Sequence, residues 1–300
     1  MKFTPNDFIH PEDKAAREHL EAIPGFAAAQ KAALHMFNEE IVFGMNMAQK
    51  IRLSPRQLPE IYRLLPPVCD RLGIAEPEFY LEMNPQPNAY TFGDTRISIT
   101  VNSGLLQLLS EDEVTTVLAH ECGHILCHHV LYHSMAQMLI NLGEGMFGLL
   151  ASLAMPVRLG LMYWIRRSEL SADRAAAVVM GSSKPVVDVM IRLSGGPRSL
   201  TEKVDLDLYM EQAKEYDLLQ NSTWHKALQG LAIMYSDHPF PAVRSREVSD
   251  WCRSEQFQRL MNAAGTELHN GPRCPTCGHA VDGSWKFCSR CGTARADLSV

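Results

Sequence analysis

The sequence begins without the apolar run of a secretory signal, since its first residues read MKFTPNDFIHPEDK, and export is therefore not predicted. It also lacks an excess of basic residues, because 28 Lys and Arg stand against 34 Asp and Glu, a net charge of -6. A nucleic-acid partner is not expected, since binding one needs a broad basic surface. No internal repeat of solenoid length is evident. These absences favour a cytoplasmic globular protein.

Residues 135–165 are the most apolar part of the chain, but their apolar run is interrupted. The span 146–165 is about long enough to cross a bilayer, yet it contains Pro156 and Arg158. Two interpretations follow. The sequence favours helices packed over the core. The alternative is peripheral membrane contact through residues 146–165.

The chain of 300 residues, 46% of them hydrophobic, is long enough to bury a large core. Periodicity, caps and breakers predict helices at 11–50, Ser54–Leu72, Ser110–Ser134, Ser168–Met180, Glu202–Tyr235 and 243–264. β-branched alternation predicts strands at Phe79–Met83 and Arg96–Val101, with a turn at Gly93-Asp94. The expected class is α+β, mostly helical, with a small β-sheet.

The stretch VLAHECGHIL, residues 117–126, carries two histidines four positions apart. On a helix, His120 and His124 share one face and can present two nitrogens to one metal ion. Glu121 lies about 100° round the helix, where it can reach a water on that ion without ligating it. The same helix also carries His128, His129 and His133. A histidine-rich helix without a metal is therefore the alternative.

A catalytic zinc needs a third protein ligand and one open position. The metzincin spacing is absent, because that frame reads H-E-C-G-H-I-L-C-H-H-V here. Further along, Glu169 and Asp173 lie four apart on a predicted helix. Glu169 could be the third ligand, and Asp173 could accept the free ring N–H of a zinc histidine. The alternative is a solvated helix face with Asp173 paired to an arginine.

Several motifs together resemble the M48 family of zinc metallopeptidases, of the gluzincin type, which includes membrane proteases of the HtpX type. VLAHECGHIL is followed by SELSADRAA, and both lie between PNAYTFG with ISITVNSGLL on one side and DHPFPAVR on the other. The likeness covers roughly residues 55–250, in order. It implies a zincin-like peptidase domain that hydrolyses polypeptide substrates. The lack of clear multiple membrane spans departs from the membrane members and suggests a soluble or peripheral one.

The resemblance also implies roles for individual residues. It assigns His120, His124 and Glu169 as ligands of a catalytic zinc, with Glu121 as the general base. Asp173 would support a ligand histidine from behind. Two further residues match positions near the family's active site, where they would steady the oxyanion: His238 and Arg244. Arg244 would also support the ligands together with Asp173. The residues that match the substrate-binding edge are Asn88, Ala89, Tyr90, Ile97, Ser98 and Ile99, with the strand continuing to Val101.

Two functions therefore stay open at the level of the sequence. The first is a zinc-dependent endopeptidase in which Glu121 takes a proton from a zinc-activated water. The alternative is a catalytically silent or latent scaffold with the peptidase fold, which binds polypeptides and recruits a partner.

Four of the eight cysteines cluster near the end of the chain as two C-x-x-C pairs: Cys274, Cys277, Cys288 and Cys291. Each pair can hold one side of a tetrahedral zinc, and four thiolates leave no open position, so this zinc would be structural. The segment resembles small zinc-ribbon modules, which suggests a site for a protein partner. Four free thiols on a tail are the alternative. The expected division is an N-terminal helical segment (1–54), the peptidase domain (55–262), a linker (263–272) and the ribbon (273–293).

Overall fold

The computed structural model describes residues 3–36, 39–141, 150–219, 240–269 and 276. Helices dominate and pack around one small sheet, which confirms the predicted α+β, mostly helical class. The strands are β1 (Ile51–Arg52), β2 (Glu78–Glu82), β3 (Ala89–Phe92) and β4 (Ser98–Asn102). The helices are α1 (Pro5–Phe8), α2 (Pro11–Glu21), α3 (Phe26–Met36), α4 (Glu39–Gln49), α5 (Pro59–Tyr62), α6 (Leu65–Leu72), α7 (Ser103–Leu108), α8 (Glu111–Leu126), α9 (Val130–Asn141), α10 (Leu150–Met180), α11 (Lys184–Gly195), α12 (Arg198–Thr201), α13 (Leu206–Leu219), α14 (Pro241–Cys252) and α15 (Glu255–His269).

The sheet has the strand order β1-β2-β4-β3. β2 and β4 run parallel, and the two outer pairs run antiparallel. The two predicted strands are present as β2 and β4, whereas β3 was not predicted. It pairs with β4 so that Thr91 lies opposite Ile99. Within this sheet β4 is therefore an interior strand, and β1 and β3 are the two edge strands.

The helix that carries the two spaced histidines begins as predicted and ends earlier than predicted. Glu113 Oε2 accepts a hydrogen bond from the Ser110 amide at 2.7 Å, and Ser110 Oγ caps the Glu113 amide in return. This capping box starts α8. The helix stops at Leu126 because the chain turns at His128, which has a left-handed φ of 58°. The prediction that it runs to Ser134 is wrong, since α9 is a separate helix.

Two other predicted helices have different limits. The helix predicted at Ser54–Leu72 is divided into α5 and α6, because Pro66 lacks an amide hydrogen and fits only the first turn of a helix. The helix predicted to begin at Ser168 is the last part of the 31-residue α10. Ser168 is buried there, and its Oγ donates to the Ile165 carbonyl at 2.8 Å, a contact typical of a helix interior.

The helices predicted towards the end of the chain also differ. The run 243–264 forms α14 and α15, and Ser254 Oγ accepts from the Phe257 amide at 3.3 Å at the start of α15. This last helix continues to His269, within the stretch predicted as a linker. The helix predicted at Glu202–Tyr235 corresponds to α13, and residues 220–239 lie outside the described residues.

Two groups of buried apolar side chains stabilise the fold. The larger lies between the sheet and helices α6, α8, α10, α11, α14 and α15. It includes Phe3 and Phe8 from the start of the chain. The smaller joins α2, α3, α9 and the middle of α10 around Trp164, which is fully buried. The described residues of the segment 1–54 therefore pack into both groups.

The described part of residues 146–165 belongs to α10. Val157, Leu161 and Trp164 are buried in the smaller core group, whereas Leu159 and Tyr163 are exposed. This matches the favoured interpretation of helices packed over the core. In the ranges that the structure describes, no helix has both the length and the apolar character needed to cross a bilayer.

Gly123 tests how closely α8 packs against α10. A Cβ atom at this position would lie 2.7 Å from the Ala175 Cβ. We expect Gly123→Ala to lower the free energy of unfolding by about 1–3 kcal/mol through overpacking, measured by denaturant unfolding. The control is Gly44→Ala on the exposed face of α4, where a Cβ meets nothing within 4 Å. It should stabilise by about 0.5–1 kcal/mol. Equal effects at both positions would contradict close packing at Gly123.

Candidate active site

The close contact of α8 with α10 brings the predicted metal ligands together. His120 and His124 project from one face of α8, and Gly123 between them lets α10 approach through its buried alanines Ala172 and Ala175. Glu169 lies one turn before Asp173 on the facing side of α10. All four of these polar side chains are buried.

Three ligand atoms converge at one point. His120 Nε2 and His124 Nε2 lie 3.2 Å apart. Glu169 Oε2 is 3.4 Å from His120 Nε2, and Glu169 Oε1 is 3.3 Å from His124 Nε2. Ligands about 2.0–2.1 Å from a tetrahedral ion lie about 3.3–3.4 Å from each other, and two imidazoles with one carboxylate are a common ligand set of catalytic zinc. The three side chains therefore fit a zinc ion in both chemistry and spacing.

A second layer of charged groups lies behind this cluster. Asp173 Oδ1 lies 3.0 Å from His120 Nδ1. Arg244, from α14, donates to both oxygens of Asp173 at 2.8 and 2.6 Å and lies 2.8 Å from Glu169 Oε2. The guanidinium is thus committed to two buried carboxylates. This position fits the expected role of Arg244 beside Asp173 in supporting the ligands, and it differs from the other expected role, in which Arg244 steadies an oxyanion.

The pKa values in this network follow from burial and from the charges. Burial raises the pKa of Asp173, but the charge and hydrogen bonds of Arg244 outweigh it, and the pKa is lowered. Burial lowers the pKa of His120, yet hydrogen bonds to Asp173 and Glu169 raise it to about 10. The pKa of His124 is lowered, chiefly by burial. A metal ion at His120 displaces a proton, so metal affinity should fall as pH falls.

Glu121 lies on the cavity side of α8. Its carboxylate is buried, and Glu121 Oε2 accepts a hydrogen bond from Thr91 Oγ1 at 2.6 Å. Thr91 belongs to β3, the strand that was not predicted, and no sequence pattern distinguished Thr91 from its neighbours. The hydrogen bond fixes one oxygen of the carboxylate and thereby orients the other.

A cavity of about 470 Å³ opens beside these groups. Its polar wall contains His120, Glu121, Asp173 and Arg244. Its apolar wall contains Leu105, Val117, Ala176, Val186, Val189, Met190 and Leu193. The residues before and at the start of β3 line a third side: Gln86, Pro87, Asn88 and Ala89. The cavity can therefore hold an apolar side chain next to the metal ligands.

The predicted substrate-binding edge needs a correction. Ser98 and Ile99 lie in β4, which is paired with β2 on one side and β3 on the other, and the Ile97 carbonyl accepts from the Glu78 amide at 3.0 Å. Added strands pair only with a free edge, so the interpretation of Ile97–Val101 as an edge strand is wrong. The edge strand beside β4 is β3.

Of the residues predicted on that edge, Asn88 and Ala89 line the cavity. The Tyr90 side chain hydrogen-bonds to Glu82 at 2.9 Å and to Lys50 at 2.7 Å. Neighbouring side chains on a strand point to opposite faces, and Thr91 points to Glu121, so the Tyr90 ring faces away from the cavity. Only the backbone of Tyr90 could contact a substrate there.

The remaining predicted residues lie outside the described residues: His238, Cys274, Cys277, Cys288 and Cys291. Two residues near the ligands were not predicted, namely Asp13 on α2 and His129 after α8. The only signal for His129 was the histidine-rich sequence after the second ligand, which also fits a helix without a metal. Nothing in the sequence indicated Asp13.

Comparison with known proteins agrees with this geometry. Residues 55–252 match the model of peptidase family M48. The chain belongs to peptidase family M48. It is accordingly a metallopeptidase, and the predicted resemblance is confirmed. Residues 273–294 match a zinc-ribbon domain, which confirms the ribbon at the level of sequence.

The relatives span much of the M48 chain. This chain is 34% identical over 264 residues to the "Plastoglobule-localized metallopeptidase 48, chloroplastic" of Arabidopsis thaliana. The alignment covers 86% of this chain and 76% of the relative. This chain is also 25% identical over 248 residues to Protease HtpX of Legionella pneumophila (strain Lens). That alignment covers 73% of this chain and 84% of the relative. No solved structure matches the chain.

Arg244 is the cation that compensates the buried carboxylates of this M48 peptidase. Replacing it by Met should lower the free energy of unfolding of the metal-free protein by about 3–5 kcal/mol, because Asp173 and Glu169 lose their partner in a buried site. The control Arg253→Met, with a side chain 78% exposed, should change it by less than about 0.5 kcal/mol. Chemical denaturation of both variants measures the difference. Similar stability of the two would show that Arg244 does not compensate these carboxylates.

Proposed function

We propose that this M48 peptidase is a zinc-dependent endopeptidase with Glu121 as its general base. The observation that carries the proposal is the convergence of His120 Nε2, His124 Nε2 and Glu169 within 3.4 Å of each other, with His120 and Glu121 lining one cavity. The proposed ligands of the catalytic zinc are His120, His124 and Glu169. Buried imidazole and carboxylate ligands beside an open cavity favour a catalytic over a structural metal.

Zinc, when bound, supplies a Lewis acid that lowers the pKa of water and polarises a peptide carbonyl. Glu121 then accepts one proton from the attacking water on its carboxylate and transfers it to the nitrogen of the leaving amine. The C–N bond breaks as the new C–O bond is kept, and the carboxylate is regenerated. Thr91 holds Oε2 of Glu121, so the proton is carried by the oxygen that faces the cavity. Asp173 and Arg244 hold the ligands in position.

The substrate is a polypeptide, as expected for this family. We propose that an extended segment of it pairs with β3, whose first residues Asn88 and Ala89 lie at the cavity. Backbone pairing gives affinity without strong sequence preference. The apolar wall formed by Val189, Met190 and their neighbours would take one apolar side chain of the substrate. His238 is kept as a proposed contact near the oxyanion, as the family resemblance implies.

We further propose a second, structural zinc held by Cys274, Cys277, Cys288 and Cys291. The support is the match to a zinc-ribbon domain and the two C-x-x-C pairs. Four thiolates saturate the ion, so this module would bind a protein partner rather than catalyse. For location we propose the cytoplasm. In the alternative of peripheral membrane contact, Leu159 and Tyr163 are the exposed side chains of α10 that would face the bilayer.

The Glu121→Gln variant separates the endopeptidase from a silent scaffold. It should keep the metal, because Glu121 is not a ligand, and it should lower kcat by about 10²–10⁴, because the proton acceptor is lost. The measurement is cleavage of unfolded casein together with zinc content. The matched control is Glu111→Gln, an exposed glutamate on the same helix, which should keep full activity. A Glu121→Gln variant as active as the wild type would refute the assigned role.

Metal analysis tests the division into a catalytic and a structural zinc. We expect two zinc ions per wild-type chain by mass spectrometry. His124→Ala and Cys277→Ala should each lose one, and only His124→Ala should abolish cleavage. The control is Cys252→Ala, which alters a buried free thiol and should keep both ions. A single zinc in the wild type under metal-replete conditions would mean that one site is misassigned.

A further inference from the structure

Asp13 is a fully buried carboxylate on α2, outside residues 55–252 that match the family. Its Oδ1 accepts a hydrogen bond from Trp164 Nε1 at 2.9 Å, and its Oδ2 accepts one from Ser171 Oγ at 2.5 Å. Oδ2 also lies 3.0 Å from His129 Nε2. Burial raises the pKa of Asp13, but these partners, His129 first, lower it overall, so the carboxylate stays ionised at neutral pH.

His129 connects this carboxylate to a metal ligand. Its Nδ1 lies 3.0 Å from His124 Nδ1, and the imidazole of His129 is 1% exposed. His124 directs its other nitrogen, Nε2, at His120 and Glu169. The contacts therefore form a line from Asp13 through His129 to His124, and every member is shielded from water.

The tautomers along this line follow from one requirement. If His124 Nε2 binds zinc, it carries no proton, so the proton of the neutral ring is on Nδ1. That N–H can donate only to an unprotonated Nδ1 of His129. The proton of His129 is then on Nε2, the nitrogen that lies 3.0 Å from Asp13 Oδ2. Each ring therefore has a single possible tautomer. The negative charge of Asp13 favours the His129 tautomer with its proton on Nε2.

We propose that Asp13 and His129 are positioning residues that fix the tautomer and the orientation of His124 as a zinc ligand. The inference rests on the proposed function, in so far as His124 is a ligand. His120 has Asp173 directly at its Nδ1, whereas the described residue at His124 Nδ1 is a second histidine, through which His124 reaches Asp13. Partners behind a metal-bound histidine raise its basicity and hold its ring, and losing one costs about 10–100-fold in metal affinity.

The competing explanation is that Asp13 only anchors α2 to α10 through Trp164 and Ser171. Asp13→Asn is compared with Glu21→Gln for this reason. Glu21 lies on the same helix and accepts a hydrogen bond from Tyr132 Oη at 3.0 Å, so it anchors α2 to α9 away from the metal ligands. Both substitutions remove one charge from α2; Asp13→Asn weakens two contacts to another helix and Glu21→Gln weakens one, but only Asp13→Asn acts on His129.

Zinc affinity of the full-length protein, by competition with a chromophoric chelator, is the first readout. Asp13→Asn should weaken binding at the His124 site by about 10–100-fold, and Glu21→Gln by less than about 2-fold. The second readout is the ring tautomer in the zinc-loaded protein, from long-range ¹H–¹⁵N correlation spectra. The wild type should show protonated Nδ1 for His124 and protonated Nε2 for His129. Equal weakening by both substitutions overturns the proposal, as does an Nδ1-protonated His129.

Two substitutions of His129 decide the question where Asp13→Asn fails to fold. Asn places its side-chain oxygen near the position of Nδ1 and can still accept from His124, whereas Leu cannot. A positioning role predicts that His129→Asn binds zinc at least about 10-fold more tightly than His129→Leu, with a smaller loss of kcat and an unchanged KM. Equal affinities, or tighter binding by the Leu variant, indicate packing alone and overturn the proposal.

These outcomes are distinct from failure of the proposed function. A wild type that binds zinc through His124 but does not cleave casein refutes the endopeptidase and leaves the test of Asp13 and His129 intact. A wild type whose zinc is lost in Cys277→Ala but unaffected by His124→Ala refutes both.

Discussion

Close contact between α8 and α10 sets the geometry of the metal site. Two histidines four apart on a helix define only one side of an ion, and the third ligand must come from another element at a fixed distance. Gly123 lies between the histidines, and the alanines of α10 pack against it, so Glu169 reaches both imidazoles at 3.3–3.4 Å. A larger side chain at this contact would move the carboxylate away from both histidines at once. Packing and metal binding are therefore one constraint here.

The same contact brings buried charges together, and their compensation explains the second layer of residues. Glu169 and Asp173 are one turn apart on α10, so their repulsion would be costly in a site shielded from water. Arg244 bridges both, and His120 lies 3.4 Å from Glu169 and 3.0 Å from Asp173. Arg244 compensates one of the two negative charges, and the other is compensated by a proton on His120 in the metal-free protein or by the proposed ion that displaces it. The stability of this region and its metal affinity are accordingly linked.

Local rules predicted what local interactions decide. The cap at Ser110, the strands around Phe79 and Ile99 and the spaced histidines were all readable from short stretches of sequence. The errors arose where distant contacts decide. Nothing within β3 indicated that it would cover β4 and become the edge, and the turn at His128 interrupts a stretch whose periodicity alone continues a helix. Spacing alone left open whether Glu169 is the third ligand, and the family resemblance assigned that role. The distance between two helices cannot be read from the sequence of either helix.

Asp13 is a clearer case of a residue whose role could not be predicted from local sequence. Its position also affects where the chain divides into domains. The match to the family begins at residue 55, which suggests a boundary between a helical extension and the peptidase. Packing argues otherwise, because Phe3 and Phe8 lie in the larger core group and Asp13 lies behind His129. A buried carboxylate is stable only with its partners in place. Detaching α2 from the other helices would therefore separate Asp13 from the buried groups that it contacts. We infer that residues 1–54 fold as part of the peptidase, and that the boundary records sequence similarity rather than a physical division.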